Sequence, residues 1–307
     1  MPAELSRRDA LRLLAGAAAA SVLPLEMSAA PQPLIARAIP KAGEKIPIVG
    51  LGTYRSFDVG GSGPERAAAK EVLRRFVEHG GKLVDSSPMY APAEEVVGDL
   101  ASELGVLDKL FMATKVWTDG REAGIAQMQE SIRKMRVRRM DLMQVHNLRD
   151  LETHLATLRE WKRKGTIRYM GITHYTAGSH RQLEDALRRH RDIDFVQFNY
   201  SIAEREAEDR LLPACADLGV AVLANRPFAV GNIFSRTRGK QLPEWSRDFA
   251  STWGQFFLKY ILGHTALTCA IPATRNPEHV VDNLGAAGGR LPDAATRRRM
   301  AEYFGTL

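Results

Sequence analysis

Short apolar runs alternate with amphipathic stretches along most of the chain. The first strong helix pattern starts at Pro64 and ends near His79, with apolar residues three or four positions apart on one face. Strands are predicted at Ile48–Leu51, Leu83–Asp85, Leu110–Thr114, Asp141–His146, Tyr169–Thr173, Phe195–Asn199, Val220–Ala224 and Thr268–Ile271. Further helices between these strands are predicted at Ala93–Leu104, Ile125–Met135, Leu151–Lys164, Ser179–His190, Glu208–Leu218 and Ser246–Ile261.

Eight strands separated by helices predict an α/β fold of parallel strands, and eight such units close a (β/α)8 TIM barrel. A doubly wound open sheet is the alternative, but it usually carries a Gly-x-Gly-x-x-Gly turn after its first strand. The run Gly50-Leu51-Gly52 lacks the third glycine and the helix. We therefore predict a TIM barrel over residues 31–307 as a single domain, preceded by a short β-hairpin that turns at Gly43.

The first 30 residues differ from the rest of the chain. A basic start is followed by the weakly apolar run LLAGAAAASVLPL and by small residues near Ala30, which is the pattern of an export signal. The pair Arg7-Arg8 after Ser6 resembles the twin-arginine type. We therefore predict the twin-arginine export machinery as a partner and a bacterial periplasm as the location. An amphipathic helix packed on the body is the alternative, and the apolar run is too short for a stable membrane span.

Composition and charge exclude several other classes. The chain is 45% hydrophobic and 26% charged with a net charge of +7, and its basic residues are scattered among acids. The densest basic cluster, between Arg133 and Arg139, lacks interleaved aromatics and any nucleic-acid motif, so no nucleic-acid partner is expected. Cys215 and Cys269 lie in apolar settings that indicate core thiols, and a disulfide between them is the alternative. No Cys/His spacing suggests a metal.

Ionisable residues stand at three consecutive predicted strand ends, which is where barrel enzymes carry their chemistry. Asp85 ends one strand, Lys115 follows the next, His146 ends the third, and Tyr90 lies in the loop after Asp85. Each has an ordinary explanation taken alone: a helix cap, a surface lysine, a core histidine and an aromatic cover. All of them in this order by chance is a much weaker explanation than a shared site.

The order Asp85, Tyr90, Lys115, His146 resembles the catalytic tetrad of the aldo/keto reductases, a family of nicotinamide-dependent barrel oxidoreductases. The resemblance extends from about Leu34 to Leu284, and the ordered set of motifs is more specific than any one of them. The matching phrases are IPIVGLGTY at Ile46–Tyr54, VDSSPMY at Val84–Tyr90, MATKV at Met112–Val116, MDLMQVH at Met140–His146, GTIRYMGIT at Gly165–Thr173 and IPATRNPEHVVDN at Ile271–Asn283.

The resemblance implies a role for each residue of the tetrad. Carbonyl reduction builds negative charge on the carbonyl oxygen, which requires a proton donor within hydrogen-bonding reach. Tyr90 is expected to be that general acid, and because a free tyrosine has a pKa of about 10, Lys115 is expected to lower it. Asp85 would hold Lys115 charged, and His146 would orient the carbonyl and stabilise the oxyanion.

The resemblance also implies cofactor contacts, one position at a time. Gly52, Thr53 and Tyr54 match the loop near the nicotinamide ribose, and Gln197 matches the residue that holds the carboxamide. Thr173-His174 stands where the family usually has Ser-Asn, and Asn225 stands where an aromatic commonly stacks on the nicotinamide, so both positions depart from the pattern. The adenosine end is implied at Thr274, Arg275 and Asn283, with His279 in place of a frequent arginine. Because a guanidinium pairs well with phosphate, Arg275 favours NADP(H) over NAD(H).

Three functional hypotheses follow. The first is an NADP(H)-dependent reductase of small aldehydes or ketones, the second an exported nicotinamide-nucleotide-binding module with little turnover, and the third a barrel enzyme of another class such as an isomerase. Around the mouth, Tyr54, Trp117, Asn147 and Phe228 are candidates for a substrate pocket. The long loop from Pro227 to Pro243 is a candidate cover for the cofactor.

Overall fold

The computed structural model describes residues 33–307, so the predicted export signal at residues 1–30 lies outside the described part. The first element is an antiparallel hairpin of β1 (Ala36–Ala38) and β2 (Lys45–Pro47). Gly43 makes the turn with a φ of 72°, a conformation that glycine adopts without strain. The predicted hairpin is confirmed.

Eight further strands alternate with helices in the predicted order. The strands are β3 (Leu51–Gly52), β4 (Leu83–Asp85), β5 (Phe111–Val116), β6 (Met140–His146), β7 (Ile167–Thr173), β8 (Phe195–Asn199), β9 (Ala221–Asn225) and β10 (Cys269–Ala270). The helices are α1 (Pro64–Glu78), α2 (Ala93–Glu103), α3 (Arg121–Lys134), α4 (Leu151–Lys164), α5 (His180–Arg189), α6 (Leu211–Leu218), α7 (Trp253–Leu262), α8 (Pro277–Gly285) and α9 (Ala294–Thr306).

Strands β3 to β10 are parallel neighbours in chain order, and the first and last of them meet. Isolated bridges join Val49 to Ala270 and Gly52 to Ala273, and the Gly52 N–H donates to Pro272 O at 3.0 Å. A Cβ on Gly52 would lie 2.7 Å from Ile271 O, so only glycine allows this approach. The predicted TIM-type α/β fold is confirmed, and this closing contact brings the loops after β3 and β10 together.

The barrel interior has an apolar lower layer and a polar upper layer. Leu83, Phe111, Leu142 and Phe195 belong to a buried cluster that also contains Ile39 and Ile46 of the hairpin. Residues two apart along a strand share a face. The next inward positions are polar at Asp85, Gln144 and Gln197. The hairpin therefore contributes to the apolar layer, while the functional groups occupy the layer toward the carboxyl ends of the strands.

Element boundaries differ from the prediction where caps and turns decide them. The helix predicted from Ser246 begins at Trp253, because Thr252 caps it by accepting the N–H of Gln255. The predicted cover loop contains 3-10 turns over Ala229–Thr237.

None of the helices within residues 33–307 is long and apolar enough to cross a membrane. Both cysteines are buried and free.

Candidate active site

Lys115 and Asp85 form an ion pair that is removed from solvent, with side-chain exposures of 0% and 3%. Lys115 Nζ donates to Asp85 Oδ2 and to the backbone oxygen of Ser86, each at 2.6 Å. Burial acts to lower the pKa of Lys115, but the surrounding acidic groups, chiefly the Asp85 carboxylate, together outweigh burial and raise that pKa above its ordinary value. The lysine is therefore a fixed positive charge inside the barrel mouth.

The second oxygen of Asp85 is held by two amides from other strands. Asp85 Oδ1 accepts from Gln144 Nε2 at 3.1 Å and from Gln197 Nε2 at 2.9 Å. A buried carboxylate needs such donors as well as a counter-charge, because an unsatisfied ion in the interior is costly. Strands β4, β5, β6 and β8 are thus joined through one carboxylate, which fixes the position of the lysine.

Tyr90 lies in the loop after β4 and faces both the lysine and the histidine. Lys115 Nζ is 5.2 Å from the centroid of the Tyr90 ring, and the ring centroids of Tyr90 and His146 are 6.3 Å apart. Burial raises the pKa of Tyr90, and the opposing charge of Lys115 does not reverse the increase. Lys115 acts to lower this pKa, as expected from the sequence, but burial has the larger effect and the net pKa is raised. Tyr90 is accordingly protonated at neutral pH, as a general acid must be.

His146 is a neutral imidazole. It is 7% exposed, and burial together with the positive charge of Lys115 lowers its pKa to about 3. Its Nδ1 lies 3.2 Å from Ser87 Oγ, and that hydroxyl already accepts the Met89 N–H at 3.3 Å. This arrangement favours donation by Ser87 to Nδ1 and therefore a proton on Nε2 of His146. A neutral histidine with an Nε2 proton can donate to a carbonyl oxygen without adding charge.

The residues predicted for the nicotinamide end lie together at the strand ends. Thr53 Oγ1 donates to Asp85 O at 3.0 Å, so this side chain is part of the framework. Gln197 Oε1 accepts from Thr173 Oγ1 at 3.2 Å and from Asn225 Nδ2 at 3.3 Å. Since Gln197 Nε2 is bound to Asp85, both ends of this amide have partners within the protein.

His174 is held by its own loop. Its Nδ1 accepts the Tyr175 N–H at 3.0 Å, its Nε2 lies 3.1 Å from Ser179 Oγ, and its ring stacks on Tyr175 with centroids 5.4 Å apart. Both ring nitrogens therefore have partners in the loop after β7. The departure from the family residue at this position has a local structural use.

Among the residues predicted for the adenosine end, Arg275 connects the loops on the two sides of the barrel closure. Its Nε donates to Arg55 O and its Nη2 to Asp58 Oδ1, each at 2.8 Å. Thr274 lies in a turn with Asn276, His279 is exposed on α8, and Asn283 is buried on the same helix. The four predicted positions thus lie within residues 274–283. Arg275, however, is paired with Asp58, an acid that the sequence did not indicate.

The candidate pocket residues separate into two groups. Tyr54 is 52% exposed and its ring centroid is 5.1 Å from that of Tyr90, so it borders the acid. Phe228 instead packs on Phe234, with centroids 5.1 Å apart.

Within residues 33–307, no cluster of three or more His, Cys, Asp or Glu side chains could hold a metal ion.

The other two pocket candidates flank the end of β6. The guanidinium of Arg149 lies 4.4 Å from the ring centroid of Trp117. Asn147 has a left-handed φ of 54°, and its backbone N–H donates to Thr173 O at 2.8 Å. Both residues follow strands at their carboxyl ends, on the same face as Tyr90.

Comparison with known proteins agrees with this geometry. The profile of the Aldo/keto reductase family matches residues 48–298. The chain belongs to the aldo/keto reductase family.

Among its relatives, aldo-keto reductase AKR2E4 of Bombyx mori is 25% identical over 272 residues, which cover 79% of this chain and 84% of that protein. Methylglyoxal reductase YeaE of Escherichia coli is 26% identical over 257 residues, covering 81% and 88%. A solved aldo/keto reductase of Klebsiella pneumoniae in complex with NADP and acetate superposes with a TM-score of 0.71 at 24% identity, over 85% of this chain and 93% of that one. The last likeness shows the fold, and family membership makes the chain an oxidoreductase-family enzyme.

Three side chains around this aldo/keto reductase site were missed from the sequence. Gln144 supports Asp85, Ser87 contacts His146, and Asp58 pairs with Arg275. A signal existed for Gln144, because it lies two residues before His146 in the same strand and strand alternation places both on the inward face. Ser87 lies in the loop after β4, where alternation does not apply. Asp58 lies in an irregular loop with no periodicity that could have indicated it.

The pH dependence of carbonyl reduction should show Tyr90 but not His146. We expect kcat/KM to be flat between about pH 5 and 9, because the His146 pKa is about 3, and to fall only at higher pH as Tyr90 loses the proton it donates. Steady-state kinetics in a constant-ionic-strength buffer series measures this. An inflection near the ordinary histidine pKa of about 6.5, abolished by His146→Asn, would contradict the assignment.

Proposed function

We propose that the protein reduces small aldehydes or ketones to alcohols with NADP(H) as the hydride source. The observation that carries the proposal is the buried Lys115–Asp85 pair beside a protonated Tyr90 and a neutral His146. During carbonyl reduction, negative charge develops on the carbonyl oxygen. The barrel mouth offers this oxygen a proton donor, a fixed cation and a neutral hydrogen-bond donor.

Each residue has a distinct part in this proposal. Tyr90 donates the proton to the carbonyl oxygen, and Lys115 stabilises the phenolate that remains. Asp85, together with its two amide donors, keeps Lys115 in place. His146 donates from Nε2 and orients the carbonyl. In the oxidative direction Tyr90 would act as the base.

The polar groups at the mouth are consistent with a nicotinamide nucleotide, which supplies the hydride when bound. Among residues 33–307, five buried side-chain atoms have no hydrogen-bond partner. Three of them belong to residues at the carboxyl ends of strands: Asn147 Oδ1, Asn225 Oδ1 and Arg226 Nε. Buried polar atoms without partners are rare and costly, and their concentration here supports a site that is completed by a polar ligand. Gly52, Thr53, Tyr54, Thr173 and Gln197 remain the other proposed contacts of the nicotinamide end.

We propose NADP(H) rather than NAD(H) because Arg275 offers a guanidinium at the adenosine end, with Thr274, His279 and Asn283 nearby in sequence. Its Nε and Nη2 face Arg55 O and Asp58, while Nη1 has no hydrogen-bond partner among the described residues. A 2′-phosphate could therefore be bound through Nη1, but Asp58 places a negative charge beside it. Asp58 would weaken NADP(H) binding by repulsion.

For the substrate, we propose a small carbonyl compound with apolar surface. The large exposed hydrophobic side chains of the described part are Tyr54, Met89, Tyr175, Val230 and Phe234, and all five lie on loops that follow barrel strands. That a relative is named a methylglyoxal reductase supports the aldehyde or ketone class.

We also propose that residues 1–30 direct the protein to a bacterial periplasm through the twin-arginine machinery. The basis is the pair Arg7-Arg8 and the apolar run behind it.

Tyr90→Phe should abolish most of the reductase activity without abolishing nucleotide binding. The phenylalanine keeps the ring but removes the acid, so kcat for NADPH-dependent reduction of a reactive aromatic aldehyde should fall by about 10²- to 10⁴-fold. NADPH binding, measured by quenching of tryptophan fluorescence, should change little. If the parent binds NADPH but neither protein oxidises it across an aldehyde panel, the little-turnover binding module is the better explanation.

Asp58→Asn should strengthen the binding of NADPH and leave that of NADH unchanged. Removing one exposed negative charge near the phosphate should lower the Kd for NADPH by about two- to fivefold, and less at high salt. Asp248→Asn is a matched control, because Asp248 pairs with Arg290 in another exposed ion pair, with Oδ2 and Nη2 2.7 Å apart. Equal effects on both nucleotides, or a loss of NADPH affinity, would contradict the placement of the phosphate at Arg275.

Replacing Arg7 and Arg8 by lysine should block export through the twin-arginine route. The charge is kept but the paired guanidinium signal is lost, so the protein should accumulate in the cytoplasm of a bacterial host. Fractionation followed by immunoblotting measures this, with a Lys109→Arg variant as a control for basic substitutions in the body. Undiminished periplasmic recovery of the lysine variant would refute the proposal.

A further inference from the structure

The end of β9 carries a polar side chain, Asn225, at a position where the family commonly has an aromatic ring. The four preceding strand residues are buried, whereas Asn225 is partly exposed. Its neighbours at the mouth are the loop of His174 and the amide of Gln197. The side chain therefore lies among the residues predicted for the nicotinamide end.

The orientation of the Asn225 amide is fixed by its partners. Nδ2 donates to the backbone oxygen of His174 at 2.9 Å and to Gln197 Oε1 at 3.3 Å. A backbone carbonyl can only accept, so the nitrogen must be on that side. Oδ1 consequently points elsewhere, and it is buried without a hydrogen-bond partner. An acceptor left in this state costs free energy until a donor reaches it.

The other side chains predicted near the carboxamide, Thr173, His174 and Gln197, already have hydrogen-bond partners within the protein. Gln197 donates to Asp85 and accepts from Thr173, and both ring nitrogens of His174 have partners in their own loop. Of the polar residues grouped here, Asn225 is the one whose side chain keeps an unused hydrogen-bonding atom. That atom is an acceptor, which suits the amide N–H2 of a carboxamide.

We infer that Asn225 Oδ1 accepts a hydrogen bond from the carboxamide N–H2 of the bound nicotinamide, so that this strand end recognises the ring by its amide rather than by stacking. The inference rests on the proposed function, since it needs a nicotinamide nucleotide at this mouth. Oδ1 is buried in the structure, so the inference requires the side chain to tilt on binding. The bond to Gln197 Oε1, at 3.3 Å, is the longer of the two that Nδ2 makes, and the bond to His174 O is 2.9 Å.

The test compares NADP+ with its 3-acetylpyridine analogue, in which a methyl group replaces the N–H2 and the carbonyl is kept. The parent protein should bind the analogue about tenfold more weakly, because Asn225 Oδ1 then stays unsatisfied. Asn225→Leu should bind both nucleotides with nearly equal Kd, since its side chain cannot accept from either. Kd values come from isothermal titration calorimetry, so the readout does not depend on turnover, and thermal melting confirms that the variant is folded.

Gln129→Leu is the control. It removes a side-chain amide from an exposed position of α3, outside the proposed site, and it should keep the parent's preference for NADP+. Asn225→Tyr restores the family's aromatic residue and should bind both nucleotides without discrimination.

If the parent binds NADP+ and the analogue equally, or Asn225→Leu keeps the tenfold preference, the inference is refuted while the proposed function stands. If the parent binds neither nucleotide, the proposed function fails with it.

Discussion

The buried ion pair between Lys115 and Asp85 is the interaction on which the site depends. An ammonium and a carboxylate in the interior are stable only when each also has hydrogen bonds, because desolvation costs several kcal/mol per ion. Asp85 obtains its donors from Gln144 and Gln197, and Lys115 obtains an acceptor at Ser86 O. Strands that are not adjacent are thereby tied to one carboxylate. The cation beside Tyr90 is held still because the barrel around it is packed.

How much of this could be read from the sequence varies with the kind of interaction. The eight-strand order and the hairpin followed from periodicity and turn chemistry. Asp85, Lys115 and His146 followed from their places at strand ends. The sign of the net pKa shift at Tyr90 did not follow, because a motif names the neighbouring charge but not the burial, and burial dominates here. Asp58 was missed for a similar reason: its partner is distant in sequence and lies across the barrel closure.

The residues proposed for the nicotinamide end include two departures from the family pattern, His174 and Asn225. Taken one at a time, His174 and Asn225 look like losses of a carboxamide ligand and of a stacking ring. In the structure the two positions touch, since the Asn225 amide donates to the backbone oxygen of His174. The histidine ring is held by its own loop, and the asparagine Oδ1 has no partner.

The barrel closure has a consequence for the lifetime of the protein. Strands β3 and β10 span only two residues each, and the isolated bridges at the closure pair Ala270 with Val49 before β3 and Gly52 with Ala273 after β10. The proposed nucleotide contacts lie on both margins of this seam, with Thr53 and Tyr54 on one side and Thr274 and Arg275 on the other. A ligand that contacts both sides would hold the two strands together. Because it binds only the native state, it would raise the stability of the folded protein by mass action. Resistance to proteolysis would then increase with the supply of nucleotide.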